Sequence, residues 1–277
     1  MKGVCYMFDT GNGVSDIAKI VPEAYRDLVQ PTAREVGKLV ALVPEAVNAA
    51  LAPLKKWIEV KKYNVEGTKR LLEKKLENID PNCIETPEAY VAVPALQAIG
   101  YSMDNEELRN LYANLLATSM IRDTKWRVHP SYVEIIKQLT PDEAKLLKVL
   151  NGETDSYPLI DIHVVDDRRN FKVYLRNFTT LAIGICENAD NIYSYLDNLA
   201  RLKIIEIPFG VRMADDDVYK PLEEYHEIKA LLSGSDLYPL PEGSKWEIQR
   251  KKFNVTDYGK KFMKVCVSDS IKDDEEN

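Results

Sequence analysis

The stretch from Thr86 to Ala144 reads TPEAYVAVPALQAIGYSMDNEELRNLYANLLATSMIRDTKWRVHPSYVEIIKQLTPDEA, and its grammar is helical throughout. Thr86-Pro87-Glu88 is an N-cap followed by proline at the first helical position, where a missing N–H costs nothing. It opens a helix to about Gly100. Asp104 to Glu107 opens the next, with Leu108, Leu111, Leu115, Leu116 and Met120 recurring as one buried stripe. Tyr132, Ile135, Ile136 and Leu139 mark a third helix. Thr140-Pro141-Asp142-Glu143 is a capping box, because the Thr140 hydroxyl can accept the third helical N–H while Glu143 reaches back.

Upstream, residues 1–14 read as a loose lead ending in the turn Gly11-Asn12-Gly13. Ser15 caps a helix with Ile17, Ile20, Val21, Tyr25 and Leu28 at helical spacing, and Thr32 to Glu35 is another capping box. Residues 36–54 are the least polar part of the chain. Residues 55–77 then carry eight cations against four acids, a local excess of +4 in a chain of net charge −7. Residues 45–77 read as one long helix or two nearly collinear ones. No strand is expected before about residue 150.

The grammar changes after residue 155. Leu159 to Val165 and Phe171 to Leu175 alternate or run apolar with β-branched residues, and Asp166 to Asn170 between them reads as a hairpin turn. Residues 178–186 and 189–202 are expected to be short helices separated by Glu187-Asn188, Leu202 to Ile207 and Lys245 to Val255 strands, and Thr256 to Gly259 precedes a closing helix through Val265. That order predicts a winged helix-turn-helix. The fold class expected is therefore mainly α: an N-terminal helical bundle at 15–139, then a winged-helix-like α+β domain at 140–267. Residues 268–277 form an acidic tail that is expected to be disordered.

The stretch 86–144, with His129-Pro130-Ser131-Tyr132 and Thr140-Pro141-Asp142-Glu143 at its end, resembles the helical core of the bacterial abortive-infection alpha family. That resemblance extends to about residue 267 and implies a role in phage defence, as a component that halts the host cell. It makes His129-Pro130 part of the family pattern. A histidine before proline is equally the extended residue that precedes a helix.

Several chemistries are disfavoured. Cys5, Cys83, Cys186 and Cys266 are dispersed without a CxxC pair, as are His129, His163 and His226, so neither a zinc site nor a disulfide framework is expected. There is no G-x-S-x-G, phosphate loop or His-x-x-x-His. The chain is expected to be no enzyme and to need no cofactor; Arg122-Asp123 is the one feature near His129 able to polarise it. The N-terminus is no secretory signal and no run approaches about 18 apolar residues, so a cytoplasmic protein is expected.

Three functions follow as expectations. The first is a non-enzymatic defence protein working through contacts with a phage or host protein, homo-oligomerisation being left open. The second is a membrane effector, peripheral at the inner membrane, that uses residues 33–76. Lys55, Lys56, Lys61, Lys62, Lys69 and Arg70 would then face lipid or another anion. The third is a DNA-binding regulator with Arg168, Arg169, Arg250, Lys251 and Lys252 as contacts. The candidate recognition helix 190–201 carries Asp190 and Asp197 against Arg201, which phosphates repel.

Overall fold

The computed structural model describes residues 48–49, 65–99, 105–152, 154–234 and 239–268. The helix at Ser15, the Thr32/Glu35 capping box, Lys55, Lys56, Lys61, Lys62 and the acidic tail beyond Ser268 lie outside them. The chain divides into two compact units, residues 1–103 with 115–133 and residues 104–114 with 134–277.

In the first unit α1 (Val65–Leu76) packs on α2 (Ala89–Ile99), and the later half of α3 (Glu106–Met120) supplies Leu115, Leu116 and Met120 to the core. Glu85 ties the segment after α1 to the turn after α3. Its carboxylate takes Arg122 Nε and Lys125 Nζ, both at 2.5 Å, while its N–H donates to Met120 O. Those two cations pull the Glu85 pKa below the usual carboxylate value.

The second unit holds the start of α3, the second half of α4 (Ser131–Ile136), α5 (Pro141–Leu150), β1 (Ser156–Val165) and β2 (Phe171–Phe178). Then come α6 (Ile192–Arg201), β3 (Ile205–Glu206), α7 (Lys220–Glu223), α8 (His226–Leu232), β4 (Lys245–Val255) and α9 (Asp257–Cys266). Among the described residues every strand follows residue 155; only the isolated bridge Ile84↔Ile121 precedes it. The Thr140/Glu143 capping box forms as its sequence requires, Thr140 Oγ1 accepting from Glu143 N and Glu143 Oε2 from Thr140 N.

The four strands make one antiparallel sheet in the order β2-β1-β4-β3. The fold is thus mixed α+β rather than mainly α with a winged helix appended. Two local causes explain the departure. The expected helix over 178–186 is a run of turns with Gly184 at φ +75° inside it, and Asp142 holds the Glu187-Asn188 break that follows. The expected strand 202–207 shrinks to Ile205–Glu206 because Lys203, at φ +62°, closes α6 with a left-handed residue. Its neighbour Ile204 sits so close to α9 that a Cβ on Gly259 would lie 2.1 Å from Ile204 O, so only glycine fits there.

Asp142, in the first turn of α5 and 4% exposed, accepts hydrogen bonds from Glu187 N, Asn188 N and Tyr195 Oη at 2.8, 2.9 and 2.9 Å. Burial pushes its pKa up, but the donors outweigh that and bring it to about 2. Burial and the Asp142 bond together raise the Tyr195 hydroxyl to about 12.

The pleat gives the sheet two unlike faces. On one, Ile160 and Ile162 of β1 and Trp246 and Ile248 of β4 pack under Tyr219, Leu222, Ile228 and Leu231. On the other, Tyr157 stacks on Phe253 at 5.0 Å in the buried half, and further along the strands the face turns polar.

Candidate functional site

That polar half is the floor of an open cleft of about 1270 Å³. Asp161↔Gln249 and His163↔Glu247 are directly opposed across β1 and β4, so all four side chains stand on one face with Lys245 and Lys251. The β1–β2 turn (Asp166, Asp167, Arg169) and Phe171 form one wall, and Ile207 to Gly210 with Arg212 the other.

The floor centres on Asp161, 8% exposed. Its carboxylate takes Lys251 Nζ at 3.1 and 3.0 Å and the backbone N–H of Asn177 at 2.7 Å. Lys251 also donates to Asn177 Oδ1 at 2.6 Å, so each member is held by two others. Asn177 reaches this position because the β1/β2 register slips between Ile160↔Phe178 and Ile162↔Leu175, with Asn177 at φ +53°. A bulge of this kind frees a strand N–H for a side-chain partner. His163 stacks on Phe171 at 4.7 Å, and its Nε2, buried without a hydrogen-bond partner, lies 3.9 Å from Asp161 Oδ2.

The walls carry apolar groups facing water. Phe209, between Pro208 and left-handed Gly210, is fully exposed at 103%, and Phe171 across the cleft is 63% exposed. The second turn of the rim is closed by Gly243, where a Cβ would sit 2.5 Å from Asp167 Oδ2.

The basic residues singled out from sequence separate. Arg250 and Lys251 project to opposite faces, as neighbours in a strand must. Arg250 donates to Glu223 at 2.7 and 3.1 Å, meets Asp216 at 3.2 Å and lies 5.3 Å over the Tyr219 ring. Lys251 is committed to Asp161. Lys252 is half-buried, Arg168 lies in the β1–β2 turn, and Arg169 lines the cleft. In α1, Lys69 faces Glu73 at 4.0 Å and Arg70 is exposed. His129 caps α4, its Nδ1 accepting from Ser131 N at 3.1 Å, while Arg122 is paired with Glu85. On α6 the exposed side chains are Tyr193, Ser194, Asp197 and Arg201.

The sequence reading passed over Asp161, His163, Asn177 and Gln249. The signal for the first two was present: in Leu159-Ile-Asp-Ile-His-Val, polar residues alternate with isoleucine, which places them on one face of a strand. Asn177 carried none, because a bulge is set by the partner strand.

Among the described residues no three His, Cys, Asp or Glu side chains converge as metal ligands, and no helix is long and apolar enough to cross a membrane. Cys83, Cys186 and Cys266 are free thiols, with burial driving the Cys266 pKa well up.

A solved structure of an uncharacterized protein from the hydrocarbon-degrading marine bacterium Alcanivorax borkumensis SK2 is similar at 16% identity. It covers 53% of this chain and 96% of its own at a TM-score of 0.30, too low to bear on the fold. No curated protein matches the chain. The family model described as abortive infection alpha matches residues 60–266.

Proposed function

Because the chain belongs to the abortive infection alpha family, whose members are associated with phage defence, we propose that it is a non-enzymatic defence protein acting through protein contacts. The cleft-bearing face of the second unit is the docking module. The observation that carries this reading is Phe209, presented fully to solvent by Pro208 and Gly210, with exposed Phe171 opposite. A water-facing phenyl costs solvation and supplies nothing to the fold, whereas aromatic residues supply much of the energy at protein interfaces. The helix-turn-strand order of α5, α6, β3 and β4 serves docking rather than groove reading. Arg250 and Lys251 are already neutralised, and α6 offers Asp197 where a DNA reader needs cations.

The test is plaquing of a phage panel on cells carrying the protein. Wild type lowers plaquing, and Phe209→Glu restores it by about tenfold or more at equal protein level. Undiminished defence in that variant overturns the reading. Two further measurements separate the alternatives. Binding of duplex DNA that steepens as salt falls favours the regulator. Flotation of wild type with anionic liposomes, abolished by charge reversal at Lys55, Lys56, Lys61 and Lys62, favours the membrane effector.

A further inference from the structure

We propose that the outer edge of β4, from Trp246 to Lys252, receives an acidic, extended segment of the partner protein as an added strand. This rests on the protein-contact reading and names where and how the contact is made.

The backbone sets the geometry. Val255 N donates toward β1, to Asp155 O, whereas Thr256 N donates to Ile204 O on the β3 side. In an antiparallel ladder each residue points its N–H and C=O to the same neighbour, and successive residues alternate. The even-numbered residues of β4 therefore face the β3 side. β3 is only Ile205–Glu206 and reaches no further than Asn254. Trp246, Ile248, Arg250 and Lys252 thus direct their main-chain groups past the end of β3, and among the described residues no backbone hydrogen bond meets them there. This edge is about 20 Å long at the usual strand rise.

Its register is also unbroken. β4 pairs with β1 without a break from Lys245↔Val165 to Asn254↔Ser156, whereas β2, at the opposite edge, slips register twice and holds Lys172 and Arg176 out to solvent. Bulges and exposed charges are how sheets block an edge. β2 carries both. β4 has an unbroken register and a wall beside it: Ile207 to Arg212, with Phe209 at its tip, lines the cleft on the β3 side.

Charge selects the occupant. Lys245, Arg250, Lys251 and Lys252 stand against Glu247 alone along this strand. Arg250 and Lys251 are neutralised from neighbouring elements and Lys245 lies 3.9 Å from Glu247, which leaves Lys252, and Arg169 on the far wall, without an ion pair among the described residues. An added strand satisfies the main-chain groups of β4, packs an apolar side chain against Phe209 and presents carboxylates to Lys252 and Arg169. A second copy of β4 would set its own unpaired Lys252 against this edge and supply no carboxylate beyond its lysine-paired Glu247, and is disfavoured.

The experiment pans a displayed library of random peptides of about ten residues on the full chain. Enriched peptides are measured by fluorescence polarisation, and hydrogen exchange maps the amides they protect. The expected result is acidic, strand-forming peptides that slow exchange in 246–252. Binding weakens about tenfold or more in Phe209→Ala and in Lys252→Pro, which removes an outward N–H while sparing the β1 ladder. Lys252→Ala weakens it less, and circular dichroism checks that each variant folds. Three results overturn the inference: no enrichment over a control protein, protection outside β4, or wild-type affinity in folded Lys252→Pro. If one of these occurs while Phe209→Glu still abolishes defence, the protein-contact reading stands and strand addition falls.

Discussion

Asp142 and Asp161 are both buried carboxylates of the second unit, each with a lysine within reach, yet they are held in opposite ways. Asp142 sits among donors that cannot leave: two main-chain N–H groups of the 187–188 turn and a buried tyrosine hydroxyl. Lys145, at 3.5 Å, adds little. Asp161 has one main-chain donor and otherwise depends on the long side chain of Lys251, at the floor of a cleft open to water. The first arrangement is a staple that fixes the break at Glu187-Asn188 against the start of α5. The second keeps charge balanced at the floor of a cleft open to water. Rigid donors belong where the fold is made, and exchangeable ones where something else can bind.

The largest effect expected is at the staple. Asp142→Ala strands three buried donors and costs about 3 kcal/mol in urea unfolding. The pH dependence has a definite sign. A carboxylate whose folded pKa is about 2, below its ordinary 3.8, contributes stability that is complete above pH 3.8 and lost as pH falls through that interval. Acid titration of wild-type stability shows this leg, and Asp142→Asn lacks it.

Next is Lys251→Met, which leaves Asp161 charged and underpaired and costs about 2 kcal/mol. Adding Asp161→Asn, which keeps an acceptor for Asn177 N, recovers most of the loss. If Lys251→Met alone costs as much as Asp142→Ala, the contrast drawn between the two sites fails. Tyr195→Phe removes one of the staple's three short bonds and lowers stability by about 1 kcal/mol. Smallest of all, Phe209→Ala leaves the unfolding midpoint within about 0.5 kcal/mol of wild type. A larger loss assigns that phenyl to the fold and takes away the support it gives to docking.

Local chemistry alone determined a good part of this protein. The Thr140/Glu143 capping box, the onset of strands after residue 155, the β1–β2 hairpin and β4 from Lys245 to Val255 are written in short-range signals: a cap needs only four residues, and a strand only its own alternation. The same alternation separates Arg250 from Lys251 and could have placed Asp161 beside His163. What tertiary structure decided lies where distant segments compete for one backbone. Asp142, some forty-five residues away, fixes the conformation of the Glu187-Asn188 break and ties it to α5, which no local signal announces. Ile204, which accepts from Thr256 N and lies against Gly259, anchors the start of β3 beside α9. Neither outcome can be read from a window of sequence, because the deciding partner of each lies outside it. The cleft exists only once β1, β4 and the Phe209 loop have been brought together.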